Sequence, residues 1–322
     1  MTATGHGAVR CVVDLKADLG EGAVWAAREA ALYFVDINAA RLYRLDCARP
    51  GGADTSHPGQ GSARPLEPDD PRLTSWPLPS RIGCFALRPP GADGAAPGAV
   101  VALEDGFHSL DFGSGAVTYI AGPGRQAGIR FNDGKCSPDG RFFAGTMDVE
   151  RLSRPIAQLY RLDPDLSWRA VVDDLIVSNG IGWSADGSTM YLSDSKAQVV
   201  WLYDYDTGSG EVSNRRELCR PTQEQGRPDG AAIDVEGNYW SAGISAGVLN
   251  KWSPAGELLT SIPLPCARPT CPAFGGPDLR TIYLTSLRHD LPAEVLTEYP
   301  LSGGVFAVDV DVPGVPIGTF GG

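Results

Sequence analysis

Four acidic or amide residues each stand seven positions ahead of a short polar turn, and each is followed by glycine within two residues: Glu21, Asn132, Asn179 and Asp229. If the chain repeats a strand–turn unit, equal spacing puts the four at one structural position. Two carboxylates and two amides would then converge. Buried carboxylates that converge repel one another, so they need a compensating cation. Oxygen ligands of this kind suit a hard divalent ion.

The same residue types have a plainer explanation, because asparagine and aspartate before glycine are ordinary turn formers. Turn chemistry does not require an acid or amide at a matching offset in four units, and Glu21 is a poor turn former. The pattern therefore favours one divalent metal cation held by oxygen ligands. It does not distinguish among calcium, zinc, manganese, magnesium and ferrous iron, since such ligands accept several ions. The four histidines are scattered, which argues against a histidine-rich zinc site.

The elements that would position these residues are short strands in a sixfold repeat. In each unit two apolar runs flank a tight turn and a third run follows, with the period-2 alternation typical of strands. The third runs are 41–46, 108–111, 158–163, 200–204, 248–252 and 305–309. A repeat of roughly 45–55 residues built from strands is typical of a propeller. The predicted fold is all-β, a six-bladed β-propeller of four-stranded blades.

Two segments interrupt the repeat without separating two cores. Residues 48–74 are rich in proline, glycine and aspartate and are predicted to form a long surface loop. Residues 287–301 form a polar excursion inside the last unit. The repeat resumes in step after the first segment, so we expect residues 1–322 to form a single propeller domain.

Composition restricts the partners and the compartment. The chain has 27 basic and 39 acidic residues, a net charge of −12, and it has no basic patch, which argues against nucleic acid. No apolar run is long enough to cross a membrane, and the N-terminus lacks the apolar stretch of a signal peptide. Seven cysteines form no CxxC pair, and an odd number suits a reducing compartment. We therefore expect a cytoplasmic protein. The sequence does not indicate its oligomeric state.

Several longer motifs resemble the sugar lactonases of the senescence-marker-protein/gluconolactonase family, which includes regucalcin-like proteins. The motifs are residues 19–25 (LGEGAVW), 130–135 (RFNDGK), 143–147 (FAGTM), 178–183 (SNGIGW), 228–230 (PDG) and 303–306 (GGVF). The resemblance implies a six-bladed propeller with one catalytic divalent cation. It runs from about Leu19 to the C-terminus and departs from the regucalcin pattern between Met147 and Gln158, where a substrate-contacting loop does not align.

By this resemblance Glu21, Asn179 and Asp229 are the metal ligands, whereas Arg130 and Asn132 bind substrate hydroxyls. Asp229 is also the candidate general base. The implied activity is metal-dependent hydrolysis of a sugar-acid lactone (aldonolactone to aldonic acid), with Lewis-acid activation of the carbonyl and attack by water. Asp229 either accepts the proton of that water or only orients it.

Two other functions stay open at this point. A similar site could hydrolyse phosphotriesters or aryl esters, because a fold does not settle a function. A non-catalytic calcium-binding propeller would bind the ion without hydrolysis, but it would leave Arg130 and Asn132 without a role. The residues do not indicate which lactone is opened or whether its ring has five or six members.

Overall fold

A computed structural model of the chain describes residues 6–48, 64–90 and 97–322, and in this part nearly all regular structure is β-strand. The strands form six four-stranded antiparallel sheets, here called blades 1 to 6. The predicted six-bladed β-propeller of four-stranded blades is confirmed.

Blades 1 to 3 follow the chain order, each with its innermost strand first. Blade 1 comprises β2 (Gly20–Ala26), β3 (Ala31–Asp36), β4 (Arg41–Asp46) and β5 (Leu73–Pro77). Blade 2 comprises β6 (Ile82–Arg88), β7 (Gly98–Leu103), β8 (Gly106–Asp111) and β9 (Val117–Ala121). Blade 3 comprises β10 (Ile129–Cys136), β11 (Phe142–Asp148), β12 (Ala157–Leu162) and β13 (Trp168–Leu175).

The remaining blades continue this order until the last one. Blade 4 comprises β14 (Ser178–Trp183), β15 (Thr189–Asp194), β16 (Val199–Tyr205) and β17 (Val212–Cys219). Blade 5 comprises β18 (Pro228–Ile233), β19 (Tyr239–Gly243), β20 (Val248–Trp252) and β21 (Leu258–Pro263). Blade 6 comprises β22 (Pro269–Gly275), β23 (Thr281–Ser286), β24 (Val305–Asp309) and, as its outermost strand, β1 (Arg10–Val13).

The N-terminal strand β1 therefore closes the ring. It pairs with β24 from the other end of the chain, in a register that sets Cys11 opposite Phe306. The guanidinium of Arg10 lies 3.0 Å from the carboxylate of Asp309 and adds an ion pair to this closure. The sequence motifs predicted β24 but gave no sign of its N-terminal partner.

The predicted surface loop at 48–74 falls partly on residues 49–63, which lie outside the described residues. Of its remainder, residues 64–72 connect blade strands, with an isolated bridge between Leu66 and Val13. The strand β5 already begins at Leu73. The polar excursion at 287–301 contains α1 (Ala293–Glu298), a short helix between β23 and β24.

Six apolar clusters lie between neighbouring blades, and together they follow the ring. The cluster between blades 6 and 1 includes Trp25 and Tyr283, whose rings stack with centroids 5.5 Å apart. The cluster between blades 3 and 4 contains Phe143 and Trp183, in edge contact at 5.2 Å. Burial of such aromatic area is worth several kcal/mol per side chain. The packing between blades thus holds the innermost strands around one axis.

Every innermost strand contains a break in register near its start, as expected for a β-bulge: β2, β6, β10, β14, β18 and β22. A bulge re-aims the side chains beside it. The starts of these strands also bond to one another, since the hydroxyl of Thr270 donates to the carbonyl of Gly20 at 2.5 Å. We call this end of the ring the mouth.

The second strands end at the mouth with aspartates that hold the local backbone. Asp36 accepts from the backbone N–H groups of Asp18 and Leu19, and Asp194 accepts from those of Ile176 and Val177. These bonds fix the segment leading into each innermost strand.

Candidate active site

The structure places all four spaced residues at the bulges of innermost strands. Glu21, Asn179 and Asp229 are each the second residue of their strand, and Asn132 is the fourth residue of β10. Their exposed fractions are 7% for Glu21 and Asn132, 3% for Asn179 and 4% for Asp229. Polar side chains this deeply buried need partners.

Asn179 and Asp229 are in direct contact. The Asn179 Nδ2 atom donates to Asp229 Oδ1 at 2.5 Å and to the hydroxyl of Ser195 at 2.8 Å. Its Oδ1 atom is buried and has no hydrogen-bond partner. The amide therefore has its donor nitrogen engaged and keeps a buried oxygen that is available as an acceptor.

The backbone after Glu21 and after Asn179 has the same left-handed conformation. Gly22 has φ of +60° and Gly180 has φ of +56°. Glycine adopts this region without the steric cost that a side chain imposes. The glycines that accompany the two candidate ligands therefore permit the bulge that turns those ligands inward.

Both carboxylates are costly to ionise. The pKa of Glu21 is raised well above its ordinary value, chiefly by burial and then by the negative charges of Asp229 and Asp133. The pKa of Asp229 is also raised well above its ordinary value, by burial and by Asp133. Arg130 offsets part of this effect at Glu21, and Arg227 and Arg130 do so at Asp229. A cation bound between the oxygens of these two carboxylates would favour their ionised forms.

Arg130 and Asn132 lie together beside the carboxylates. The Arg130 Nη1 atom donates to Asn132 Oδ1 at 2.9 Å and to the carbonyl of Phe131 at 2.7 Å. Asn132 Nδ2 donates to the carbonyl of Ser178 in the next blade at 3.0 Å. Burial and the positive charge of Arg81 lower the pKa of Arg130 to about 10. At neutral pH this guanidinium still presents charged donors at the mouth.

A second pair of buried polar residues, Asp133 and Lys135, follows Asn132 on the innermost strand β10. Asp133 Oδ2 accepts from the backbone N–H of Ile181 at 3.2 Å, whereas its Oδ1 atom is buried without a partner. The ammonium of Lys135 donates to the carbonyl of Ala231 at 2.5 Å. The charge of Lys135 partly offsets the cost that burial imposes on Asp133.

Sequence reasoning gave Asp133 no role of its own and missed Ser195 and Lys135. Asp133 bonds to the backbone across the blade boundary, so it does not simply cap its own turn. Ser195 links two blades, because its hydroxyl accepts from Asn179 and donates to the carbonyl of Pro228. A serine after a strand end carries no signal by itself. The RFNDGK motif contains Lys135 but does not indicate where its side chain points.

The chemistry of these donors fits a divalent cation. Two buried carboxylates and an unpartnered amide oxygen, from Glu21, Asp229 and Asn179, make an oxygen set of the kind hard ions take. Within residues 6–48, 64–90 and 97–322, no three His, Cys, Asp or Glu side chains form a group that could hold a metal. Any ion here would therefore depend on the amide of Asn179 together with the two carboxylates.

The family is shown by comparison with known proteins. The family described as SMP-30/Gluconolactonase/LRE-like region matches residues 19–288. The chain belongs to this family. A 6-deoxy-6-sulfogluconolactonase of Pseudomonas putida is 40% identical over 98% of this chain and 99% of its own length. An L-arabinolactonase of Azospirillum brasilense is 34% identical over 98% of this chain and 96% of its own.

A solved structure supports the fold of this family member. The crystal structure of a calcium-binding protein, regucalcin, from Agrobacterium tumefaciens superposes with a TM-score of 0.84. It is 24% identical and covers 98% of this chain and 97% of its own. At that sequence identity, the structural similarity is evidence only for the propeller fold.

The structure describes the state of the cysteines and the length of the helices. All seven cysteines lie in the described residues and carry free thiols, six of them buried. No helix among the described residues is both long and apolar enough to span a bilayer. The cytoplasmic location remains a prediction.

Proposed function

We propose that this protein is a metal-dependent lactonase that opens sugar-acid lactones to the corresponding acids. The observation that carries the proposal is the contact of Asn179 with Asp229, beside the buried Glu21, at the mouth. Membership in a family with curated relatives named as lactonases supports the substrate class.

Glu21, Asn179 and Asp229 would hold the cation, and the free Oδ1 atom of Asn179 is available to it. When bound, a divalent cation supplies Lewis-acid polarisation of the lactone carbonyl. We assign no particular ion, because calcium, zinc, manganese, magnesium and ferrous iron all accept oxygen donors.

The surrounding residues bind and orient the sugar. Arg130 points donors into the mouth and is fixed by its bonds to Asn132 and Phe131. Together Arg130 and Asn132 would hold the ring hydroxyls, which sets the face of the carbonyl that water attacks. Positioning of this kind lowers the entropic cost of the reaction.

Proton transfer is assigned to Asp229. The oxygen of a water molecule bonds to the carbonyl carbon, and the Asp229 carboxylate accepts the proton released. The bond between that carbon and the ring oxygen then breaks, and the ring oxygen takes up a proton to give the hydroxy acid. Burial limits the access of bulk water to Asp229.

The test is hydrolysis of glucono-1,5-lactone and arabinono-1,4-lactone, followed by acid release in a weakly buffered indicator assay. Protein stripped with a chelator should lose activity and regain it with one or more of the five ions. Glu21→Gln and Asp229→Asn should lose both turnover and ion binding measured by calorimetry. Arg216→Met, on the outer strand β17, is the control and should keep both.

Full turnover by stripped protein, or by Asp229→Asn, would refute the mechanism. Hydrolysis of paraoxon or phenyl acetate with no lactone opened would replace the lactonase function with a different hydrolase. Ion binding with no hydrolysis of any of these substrates would show a non-catalytic cation-binding propeller.

A further inference from the structure

Two cationic side chains lie at the mouth without a salt bridge in the part of the chain that the structure describes, although the charge of one of them, Arg227, lowers the pKa of the nearby Asp229. Lys196 follows the end of β15, and Arg227 immediately precedes β18. Both are half-buried. Among the described residues, neither side chain makes a hydrogen bond or an ion pair with another group.

The backbone holds these two residues beside the candidate active site. The hydroxyl of Ser195 donates to the carbonyl of Pro228 at 2.5 Å, and it accepts from Asn179. Lys196 follows Ser195 and Arg227 precedes Pro228, so each cation is one residue from an end of that bond. Both cations are thus attached to the segments that carry Asn179 and Asp229.

Arg81 and Arg154 differ because each has a carboxylate partner. Arg81 lies 2.7 Å from the carboxylate of Glu104, and Arg154 lies 2.7 Å from that of Asp148. No comparable partner is present for Lys196. Burial and the positive charge of Arg227 lower the pKa of Lys196 instead.

Two neighbouring cations repel each other, and no salt bridge holds either side chain. An anion bound between the members of a half-buried pair of this kind would relieve that repulsion. Arginine provides a planar set of donors that fits an oxyanion, and lysine provides a compact charge. Chloride or solvent could screen the pair, but neither would use the arginine geometry.

We propose that Lys196 and Arg227 form a subsite for an anionic substituent on the lactone, of the phosphate, sulfonate or carboxylate class. This inference rests on the lactonase function proposed above. The charge of the substituent would be repelled by the carboxylates of Glu21 and Asp229. That repulsion directs the neutral ester end of the substrate, and not the anion, toward the carboxylates.

The experiment compares D-glucono-1,5-lactones that carry hydroxyl, phosphate or sulfonate at carbon 6. The wild-type protein should give a higher kcat/KM for a charged lactone than for the neutral one. Lys196→Met and Arg227→Met should each lower kcat/KM for the charged lactone roughly 10- to 100-fold, as expected for a lost charge-assisted contact. Lys196→Met should change kcat/KM for the neutral lactone less than about twofold. Arg227→Met also removes a charge near Asp229, so it should lower kcat/KM for the neutral lactone too, but less than for the charged one.

The matched control is Arg216→Met, which removes the same charge from the outer strand of blade 4, where the guanidinium lies 2.6 Å from Asp204. It should leave the preference for charged lactones unchanged. Raising the salt concentration should weaken that preference in the wild type. Because Lys196 has no acidic neighbour to lose, Lys196→Met should unfold at the wild-type temperature or above it.

The possible results separate a failure of the anion subsite from a failure of the lactonase function. Equal kcat/KM for charged and neutral lactones, or equal losses on both in the Lys196 and Arg227 variants, would overturn the anion subsite while leaving the lactonase function standing. If no lactone is opened, the lactonase function fails. The subsite is then tested by calorimetric binding of 6-phosphogluconate and 6-deoxy-6-sulfogluconate: wild-type binding that both methionine variants lose supports it, and no binding overturns it. The stronger ligand distinguishes phosphate from sulfonate.

Discussion

Substituting alanine for Gly180 or for Gly22 separates backbone strain from displacement of the candidate site. Both glycines have φ near +60° and follow a candidate ligand. A side chain in this conformation costs about 1–2 kcal/mol. At Gly22 the added Cβ would meet Val35 Cγ2 at 3.5 Å, an ordinary contact. Gly22→Ala should therefore destabilise by about 1–2 kcal/mol and no more.

Gly180 has the same backbone strain but no room for the new methyl group. Its Cβ would lie 2.6 Å from the hydroxyl of Ser193, 2.8 Å from the carbonyl oxygen of Asp229 and against the hydroxyl of Tyr239. Overpacking of this kind costs about 1–3 kcal/mol beyond the strain. The Tyr239 hydroxyl also donates to the Gly180 carbonyl at 2.9 Å, a bond worth about 1 kcal/mol. We expect Gly180→Ala to lose about 4 kcal/mol in total.

The assay is urea unfolding followed by tryptophan fluorescence, together with lactone turnover. Gly180→Ala should have the lower midpoint and should lose turnover, since relief of the clash displaces the Asp229 backbone. Gly22→Ala should have a smaller midpoint shift. Equal shifts in the two variants would refute the reasoning, because the backbone strain alone would then account for both. Full turnover in Gly180→Ala would show that Asp229 tolerates displacement.

Three further predictions concern the framework. Asp194→Ala removes the acceptor of four backbone N–H bonds and should lower the free energy of unfolding by about 3–5 kcal/mol. The control, Asp186→Ala in an exposed turn, should lower it by under about 1 kcal/mol. Similar urea midpoints for the two variants would contradict this. Hydrogen bonds from Arg72 lower the pKa of Asp70 to about 2, so the pair stabilises the fold above about pH 4 and that contribution is lost as the pH falls toward 2. The difference in urea midpoint between Asp70→Asn and the wild type, about 1 kcal/mol at pH 7, should shrink from pH 5 to pH 3, and a constant difference would argue against it. Truncation through Val13 removes β1 and leaves an edge of β24 unpaired, which should cause aggregation visible by light scattering; a monodisperse truncated protein would show that ring closure is dispensable.

The repeat in the sequence was sufficient to predict the propeller. Three of the predicted third runs coincide with β4, β20 and β24, because period-2 alternation reports which face of a strand is buried. The equal offsets of Glu21, Asn179 and Asp229 likewise predicted a common place at the start of innermost strands. These are local properties, and local sequence determines them.

The remaining features depend on contacts between distant parts of the chain. The pairing of β1 with β24 joins two ends that share no motif, so no local pattern could predict it. The role of Ser195 depends on its reaching Pro228 in the next blade. The raised pKa values of Glu21 and Asp229 arise from burial and from the charges of neighbouring carboxylates, and these surroundings exist only when the ring is closed. The sequence by itself determined which side chains stand at the strand starts, whereas tertiary structure decided their neighbours, because inter-blade distances and desolvation are properties of the assembled ring.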